Sequence, residues 1–168
     1  MCQTSKSTNI KIIDFGLATK LDPNELVKIS TGTAEFAAPE IVEREPVGFY
    51  TDMWSIGVLA YVLLSGLSPF AGATDIDTLK NVKACRWEFD EEAFINVSEE
   101  GKEFITRLLT KQKEKRMTAH ECLNHAWLTG RMSYTCLLFS HCADFAWQYF
   151  SSIYHFLEDA LVDFNVLF

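Results

Sequence analysis

The sequence predicts a mainly α-helical fold with one short β-strand near the N-terminus, followed by an atypical hydrophobic tail. Of the 168 residues, 48% are apolar and 23% are charged, a balance that permits a buried core. At least four segments carry helical spacing or helix-capping residues, whereas only residues 10–13 form a β-rich run. We expect two parts, residues 1–130 and 131–168, because the composition changes abruptly between them.

The first element is the β-rich run at residues 10–13, which ends at Asp14. A short run of β-branched residues that stops at an acidic residue is typical of a strand leading into a turn. We therefore expect a strand that places Asp14 at its end.

The next element comes from residues 53–74, which contain no charged side chain. This length could cross a bilayer, but Gly66 followed by Pro69 interrupts it, and that order of residues is a helix stop signal. We expect a buried core helix of about four turns, from about Asp52 to Ser65, rather than a membrane span.

A shorter helix is expected over residues 74–84. Its apolar side chains Ile76, Leu79 and Val82 recur at three-residue spacing, which is typical of a modest helix.

The last two helices have capping signals. Ser98 is expected to cap a helix whose first turn holds two glutamates, favourable at the positive end of the helix dipole. Its predicted core stripe is Phe104, Ile105, Leu108 and Leu109. Thr118 and Glu121 form the capping-box pattern of a final short helix carrying Cys122, Leu123 and Trp127.

Charge and cysteine usage exclude several classes of function. The net charge of −8 disfavours binding to nucleic acid or to an anionic membrane surface. The five cysteines lack the spacing of a metal site or of a secreted disulfide scaffold, so we expect reduced, mostly buried thiols. The four histidines show no ligand constellation, and packing or surface roles are expected for them. The first thirty residues contain no signal-peptide pattern, which favours the cytoplasm.

Several short motifs occur in a fixed order along residues 14–127. They are Asp14-Phe15-Gly16, Ala38-Pro39-Glu40, Asp52-Met53-Trp54-Ser55-Ile56-Gly57, Arg116 and His125-Ala126-Trp127. Each alone is weak evidence, but an ordered set is far more specific. In this order and at these intervals the set resembles the large, C-terminal lobe of a protein kinase.

The resemblance implies a role for each motif residue. Asp14 would bind the Mg²⁺ that bridges the phosphates of ATP, Phe15 would pack, and Gly16 would permit the turn. Thr33, in the substrate-docking stretch, would hydrogen-bond the catalytic Asp and help hold the substrate hydroxyl. Because Thr33 is followed by Phe36 rather than by a basic, Trp-containing stretch, the substrates would be Ser or Thr side chains.

Further residues would be structural by the same resemblance. Glu40 and Arg116 would form a buried ion pair that ties the docking segment to the late helices. Asp52 would accept backbone hydrogen bonds from the catalytic loop, and Trp54 belongs to the same motif. From the residues alone, Glu40 and Arg116 could equally be solvated surface charges, and Asp52 a charge favourable to the helix dipole.

The amino-acid sequences of longer stretches make the resemblance more specific within the kinase family. Residues 31–40, 50–55, 63–70 and 89–94 look like the giant muscle kinases of the twitchin, projectin and titin type, relatives of myosin light-chain kinase. The resemblance covers about residues 1–130. One departure is Ala126, where the family usually has Pro, which puts the start of the last helix in question.

Several parts that a working kinase needs cannot be found in this sequence. They are the Gly-rich loop, the strand Lys with its helix Glu, and the catalytic loop with its base Asp. Only 13 residues precede Asp14. We therefore expect a fragment of a longer kinase or the product of a truncated gene model, inactive by itself.

The tail resembles neither the autoregulatory tail nor the immunoglobulin modules that follow such kinases. It holds ten aromatic residues but only one Arg and four acidic residues in 38 positions, and its longest charge-free run, 145–157, is too short to span a bilayer. Three origins stay open: a translated intron or shifted frame, a helix lying across the lobe, and a membrane-interface helix, which the scarcity of basic residues disfavours.

Two functional hypotheses follow. In the first, the chain is part of an ATP- and Mg²⁺-dependent Ser/Thr kinase acting on protein substrates. In the second, it is a non-catalytic interaction module or pseudokinase fragment that docks peptides or sarcomeric partners through residues 29–38 and the helices that follow them. The resemblance also implies a sarcomeric location and regulation by a calcium sensor through sequence beyond this chain.

Overall fold

The structure is a computed structural model that describes residues 13, 15–21, 26–29 and 32–129, together with the backbone of residues 166–167. Asp14, most of the expected strand at residues 10–13 and the rest of the tail lie outside the described residues. Ile13 is described and is exposed.

The described residues are mainly helical, as the sequence predicts. The elements in chain order are β1 (Thr19–Lys20), α1 (Pro39–Val42), α2 (Phe49–Ser65), α3 (Asp75–Ala84), α4 (Glu99–Leu108), a 3₁₀ helix (Lys113–Lys115), α5 (Ala119–Leu123) and β2 (Val166–Leu167). The two strands pair antiparallel, with Thr19 opposite Leu167 and Lys20 opposite Val166. This small sheet was not predicted, because two-residue strands leave no periodic pattern to detect.

The core helix α2 is confirmed, although it begins three residues earlier than expected, at Phe49. It ends at Ser65, and Gly66 follows with a φ of 73°, the left-handed cap that glycine adopts at least cost. Trp54 is fully buried and stacks on Phe70, with ring centroids 5.1 Å apart. Across the described part of the chain, no helix is long and apolar enough to cross a membrane.

Helix α4 packs directly against α2, and its predicted cap and core stripe are confirmed. Ser98 Oγ accepts a hydrogen bond from the Gly101 amide at 3.2 Å. The four stripe residues are Phe104, Ile105, Leu108 and Leu109, each at most 2% exposed. A Cβ atom at Gly57 of α2 would lie 2.7 Å from the Leu108 Cβ, so the two helices meet at a glycine.

Helix α3 is confirmed, and its buried face includes a polar residue. Ile76 is 67% exposed, whereas Thr78 and Val82 are buried. Thr78 can occupy the buried position because its hydroxyl oxygen accepts a hydrogen bond from the Gly72 amide at 2.9 Å. Ile76 therefore faces outward, and the buried face consists of Thr78 and Val82 with a half-buried Leu79.

Helix α5 has the predicted capping box. The Thr118 hydroxyl accepts from the Glu121 amide at 3.3 Å, and Glu121 Oε2 accepts from the Thr118 amide at 2.8 Å. The helix ends at Leu123, so Trp127 lies beyond it, in the turns that follow Asn124. Cys85 and Cys122 are both free thiols, half-buried and buried respectively.

Candidate functional site

The candidate site is a turn that leads into α1. Gly32 has a φ of 139°, a conformation that favours glycine. The carbonyl of Thr33 then accepts two hydrogen bonds, from the amides of Phe36 at 3.0 Å and Ala37 at 3.2 Å. Thr33 itself is exposed, while Ala37 and Ala38 are buried. The chain thus presents Thr33 to solvent from a turn whose far end is fixed in the core.

The turn passes straight into α1, whose second residue is Glu40. Pro39 occupies the first turn, where its missing amide hydrogen costs no helical bond. Glu40 is only 2% exposed, and Arg116, which lies 76 residues later, faces it. Arg116 Nη1 donates to Glu40 Oε1 at 2.8 Å, and Nη2 donates to Oε2 at 3.1 Å. The two side chains therefore form a buried, bidentate ion pair.

Arg116 makes further contacts. It donates to the main-chain carbonyl oxygens of Tyr50 at 2.6 Å and Thr110 at 3.2 Å. Its guanidinium carbon lies 5.0 Å from the ring centroid of Trp54, a cation–π distance. One buried cation therefore joins α1, the start of α2 and the segment after α4.

The charge of Glu40 is set by two opposing influences. Burial disfavours its ionised form, but the hydrogen bonds and positive charge of Arg116 outweigh burial and hold the pKa of Glu40 below its ordinary value. The Thr51 hydroxyl, which donates to Glu40 Oε1 at 2.9 Å, acts in the same direction. Glu40 is therefore ionised at neutral pH.

The structure places the other motif residues as follows. Asp52 lies in the first turn of α2 and is 8% exposed. Phe15, which we expected to pack, is 56% exposed. Gly16 lies within a turn, and the Ala18 amide donates to the Phe15 carbonyl at 3.1 Å.

The predicted magnesium ligand, Asp14, lies outside the described residues. Within the described ranges, no three His, Cys, Asp or Glu side chains gather as a metal site would require.

His125 has a packing role, as predicted. Its Nε2 contacts the Glu103 carboxylate, and its Nδ1 accepts a hydrogen bond from the Trp127 amide at 3.2 Å. Its ring lies edge-on to Phe104. These contacts fix the turn that carries Ala126.

Two hydroxyl groups near the site were not predicted from the sequence. Thr51 Oγ1 contacts Glu40, and Ser55 Oγ donates to the Phe36 carbonyl at 3.1 Å. Their spacing of four residues was visible, and it places both on one face of a helix. Nothing in the spacing identifies their partners, which lie 11 and 19 residues upstream.

Comparisons with known proteins agree with this architecture. A family model described as "Protein kinase domain" matches residues 1–128. The chain is 54% identical over 130 residues to "Titin homolog" of Caenorhabditis elegans, covering 77% of this chain and 1% of the relative. It is 54% identical over 129 residues to human "Myosin light chain kinase family member 4", covering 77% of this chain and 33% of the relative.

Solved structures of kinase domains also superpose on the chain. The "Twitchin kinase region from C.elegans" superposes with a TM-score of 0.75 at 49% identity, covering 91% of this chain and 26% of that one. The "autoinhibited serine kinase domain of the giant muscle protein titin" superposes with a TM-score of 0.72 at 37% identity, covering 97% and 49%. The chain therefore spans less than half the length of each of these four relatives.

Proposed function

The chain belongs to the protein kinase domain family, and on that premise we propose that it is the substrate-docking part of a protein kinase that phosphorylates Ser and Thr side chains of proteins. The observation that carries the proposal is the buried pairing of Glu40 with Arg116. It anchors the turn that presents Thr33, so the exposed hydroxyl is held at a fixed place on a helical platform. Catalysis of phosphoryl transfer depends on this kind of positioning.

The choice of Ser and Thr as substrates is supported by the residues of the turn, which holds Thr33 and Phe36 rather than a basic, Trp-containing stretch. A relative at 37% identity is named as a serine kinase domain. In the proposed complex, Thr33 hydrogen-bonds the catalytic Asp and the hydroxyl that accepts phosphate.

We assign Asp14 as a magnesium ligand, and Thr33 with Asp14 as the site residues of this chain. A carboxylate oxygen is the ligand type that Mg²⁺ prefers. Asp14 would hold the ion, which would supply positive charge against the phosphates of ATP. The remaining nucleotide contacts would come from the Gly-rich loop, the nucleotide-binding Lys and the catalytic Asp of a kinase, and we propose that no residue of this chain takes their place.

We therefore propose that the 168-residue chain alone transfers no phosphate. Transition-state stabilisation is distributed over several groups around the γ-phosphate, and a single Mg²⁺ ligand cannot replace them. Titration calorimetry of the chain with Mg·ATP should give no tight binding, and a micromolar dissociation constant would contradict this part of the proposal.

A chimera tests the kinase function directly. The part of human "Myosin light chain kinase family member 4" that precedes its match to this chain is joined to residues 1–129. We expect Mg·ATP-dependent phosphorylation of Ser and Thr, but not Tyr, in a degenerate peptide library. Asp14→Asn should abolish activity, whereas Asp90→Asn, an exposed position away from the site, should not.

Failure of the chimera to phosphorylate while it folds would favour the second candidate, a non-catalytic interaction module or pseudokinase. By analogy with the muscle relatives, we propose a cytoplasmic, sarcomeric protein whose calcium-sensor regulation requires sequence beyond this chain. We assign residues 1–130 to the kinase part and residues 131–168 to a separate tail of unassigned role.

A further inference from the structure

We propose that Ser55 is a positioning residue for the substrate-docking turn, residues 33–37. The consequence of this role for catalysis rests on the proposed kinase function, whereas its geometry does not. The Ser55 hydroxyl donates to the Phe36 carbonyl at 3.1 Å. Phe36 closes the turn in which the Thr33 carbonyl accepts hydrogen bonds from the Phe36 and Ala37 amides. The bond thus joins the core helix α2 to the element that carries the exposed Thr33.

The acceptor of the Ser55 hydroxyl lies outside its own helix. A serine inside a helix commonly bonds back to the carbonyl four residues earlier, as Ser65 does to Tyr61 at 2.7 Å in the same helix. Ser55 instead reaches across to a separate segment 19 residues upstream. Its hydroxyl therefore contributes a tertiary contact rather than a local one.

Thr51 lies one helical turn before Ser55 and acts on the other end of the same segment. Its hydroxyl donates to Glu40 Oε1 at 2.9 Å and accepts from the Gly48 amide at 3.1 Å. Residues four apart on a helix share one face, so α2 holds Phe36 through Ser55 and Glu40 through Thr51. The short stretch from Phe36 to Glu40 is fixed at both ends.

This arrangement separates two roles. Glu40 and Arg116 hold α1 in the core, and loss of either partner affects the whole fold. Ser55 is half-buried and bonds only to a main-chain oxygen of the turn. Removing its hydroxyl should loosen the turn while leaving the core helices packed. In the kinase, a looser turn weakens the binding of protein substrate more than it affects ATP.

Hydrogen exchange of the full 168-residue chain tests the placement. In Ser55→Ala, we expect the Phe36 and Ala37 amides to exchange about fivefold faster, with α2 and α4 unchanged. Ser55→Thr, which keeps the hydroxyl, should restore the protection. Ser65→Ala is the matched control, since it removes a local bond from the same helix. Unchanged exchange in Ser55→Ala, a rise spread over α2 and α4, or no rescue by Thr each overturns the proposal.

The chimera described above supplies the functional readout. Ser55→Ala should raise KM for the best peptide of the library about fivefold, with kcat and the KM for ATP within about twofold. A fall of about fivefold in kcat, with the KM for the peptide unchanged, overturns the positioning role. If the chimera is inactive, the kinase proposal fails, while the exchange pattern still decides whether Ser55 holds the turn.

Discussion

Arg116 and Glu40 face each other as a two-bonded pair in the core, with nitrogen–oxygen distances of 2.8 and 3.1 Å. The Arg116 side chain is fully buried and that of Glu40 is 2% exposed. Two charges so far from solvent are tolerated only because each meets the other and additional polar partners, among them Thr51 and the Tyr50 carbonyl. The pair joins the docking segment to the last third of the described chain.

Arg116→Ala should lower the free energy of unfolding by about 3–5 kcal/mol, because it leaves the Glu40 carboxylate buried without a cation. Urea titration followed by circular dichroism measures the change. Lys80→Ala is the control, since Lys80 pairs with Asp77 on the surface and such pairs contribute about 1 kcal/mol or less. Equal midpoints for Arg116→Ala and the parent chain would refute the structural role of the pair.

The same pair gives a pH dependence. Burial opposes ionisation of Glu40, but Arg116 outweighs it and the pKa falls below the ordinary 4.5. The folded state therefore holds this proton less tightly than the unfolded state. The resulting stabilisation is complete above pH 4.5 and is lost as the pH falls through the lowered pKa.

Glu40→Gln should thus show a shallower loss of stability below pH 4.5 than the parent chain, although it is less stable at neutral pH. Urea titrations at a series of pH values between about 7 and about 3 provide the comparison. Glu92→Gln, which removes an exposed negative charge, should follow the parent curve. Parallel curves for Glu40→Gln and the parent would contradict the assigned direction of the pKa.

Interactions between residues close together in the sequence could be predicted, whereas interactions between distant residues could not. Ser98, Thr118 and Gly66 act on residues three or four positions away, so their capping roles were evident in short patterns. The pairing of Glu40 with Arg116 spans 76 residues and came only from family resemblance. Periodicity alone could not supply it.

The roles of three hydroxyl groups near the core were not predicted. Thr78 occupies a buried position of α3 because its hydroxyl accepts a hydrogen bond from the Gly72 amide, and apolar spacing does not reveal such a bond. Thr51 and Ser55 were passed over for the same reason, since a helical hydroxyl usually has a local partner. Tertiary hydrogen bonds of side chains are set by three-dimensional neighbours, which a single sequence does not list.

Gly57 lies where α2 packs against α4. An added Cβ would lie 2.7 Å from the Leu108 Cβ and 2.9 Å from a Leu109 methyl carbon. The Leu108 atom is bonded to the backbone and cannot move away without shifting α4. We expect Gly57→Ala to lower the free energy of unfolding by about 1–2 kcal/mol, because overpacking outweighs the better helix propensity of Ala.

Gly101→Ala is the matched control for that substitution. Its nearest neighbours would be the tips of the Trp127 and Val97 side chains, both at 3.2 Å, which can shift by a few tenths of an ångström. Its thermal midpoint should stay close to that of the parent chain. If Gly57→Ala is as stable as Gly101→Ala, the close approach of α2 to α4 does not limit packing.

Cys122 should resist alkylation in the folded chain and react only on unfolding. Burial raises the pKa of its thiol to about 12, with a smaller contribution from the negative charge of Glu121. The residue is fully buried, so both thiolate formation and access of the reagent are suppressed. Cys85, half-buried at the end of α3, should react faster than Cys122, although burial raises its pKa as well.

Timed iodoacetamide labelling at about pH 8, read by peptide mass mapping with and without urea, distinguishes the two thiols. Rapid native labelling of Cys122 would mean that α5 opens readily and would contradict the burial of this thiol.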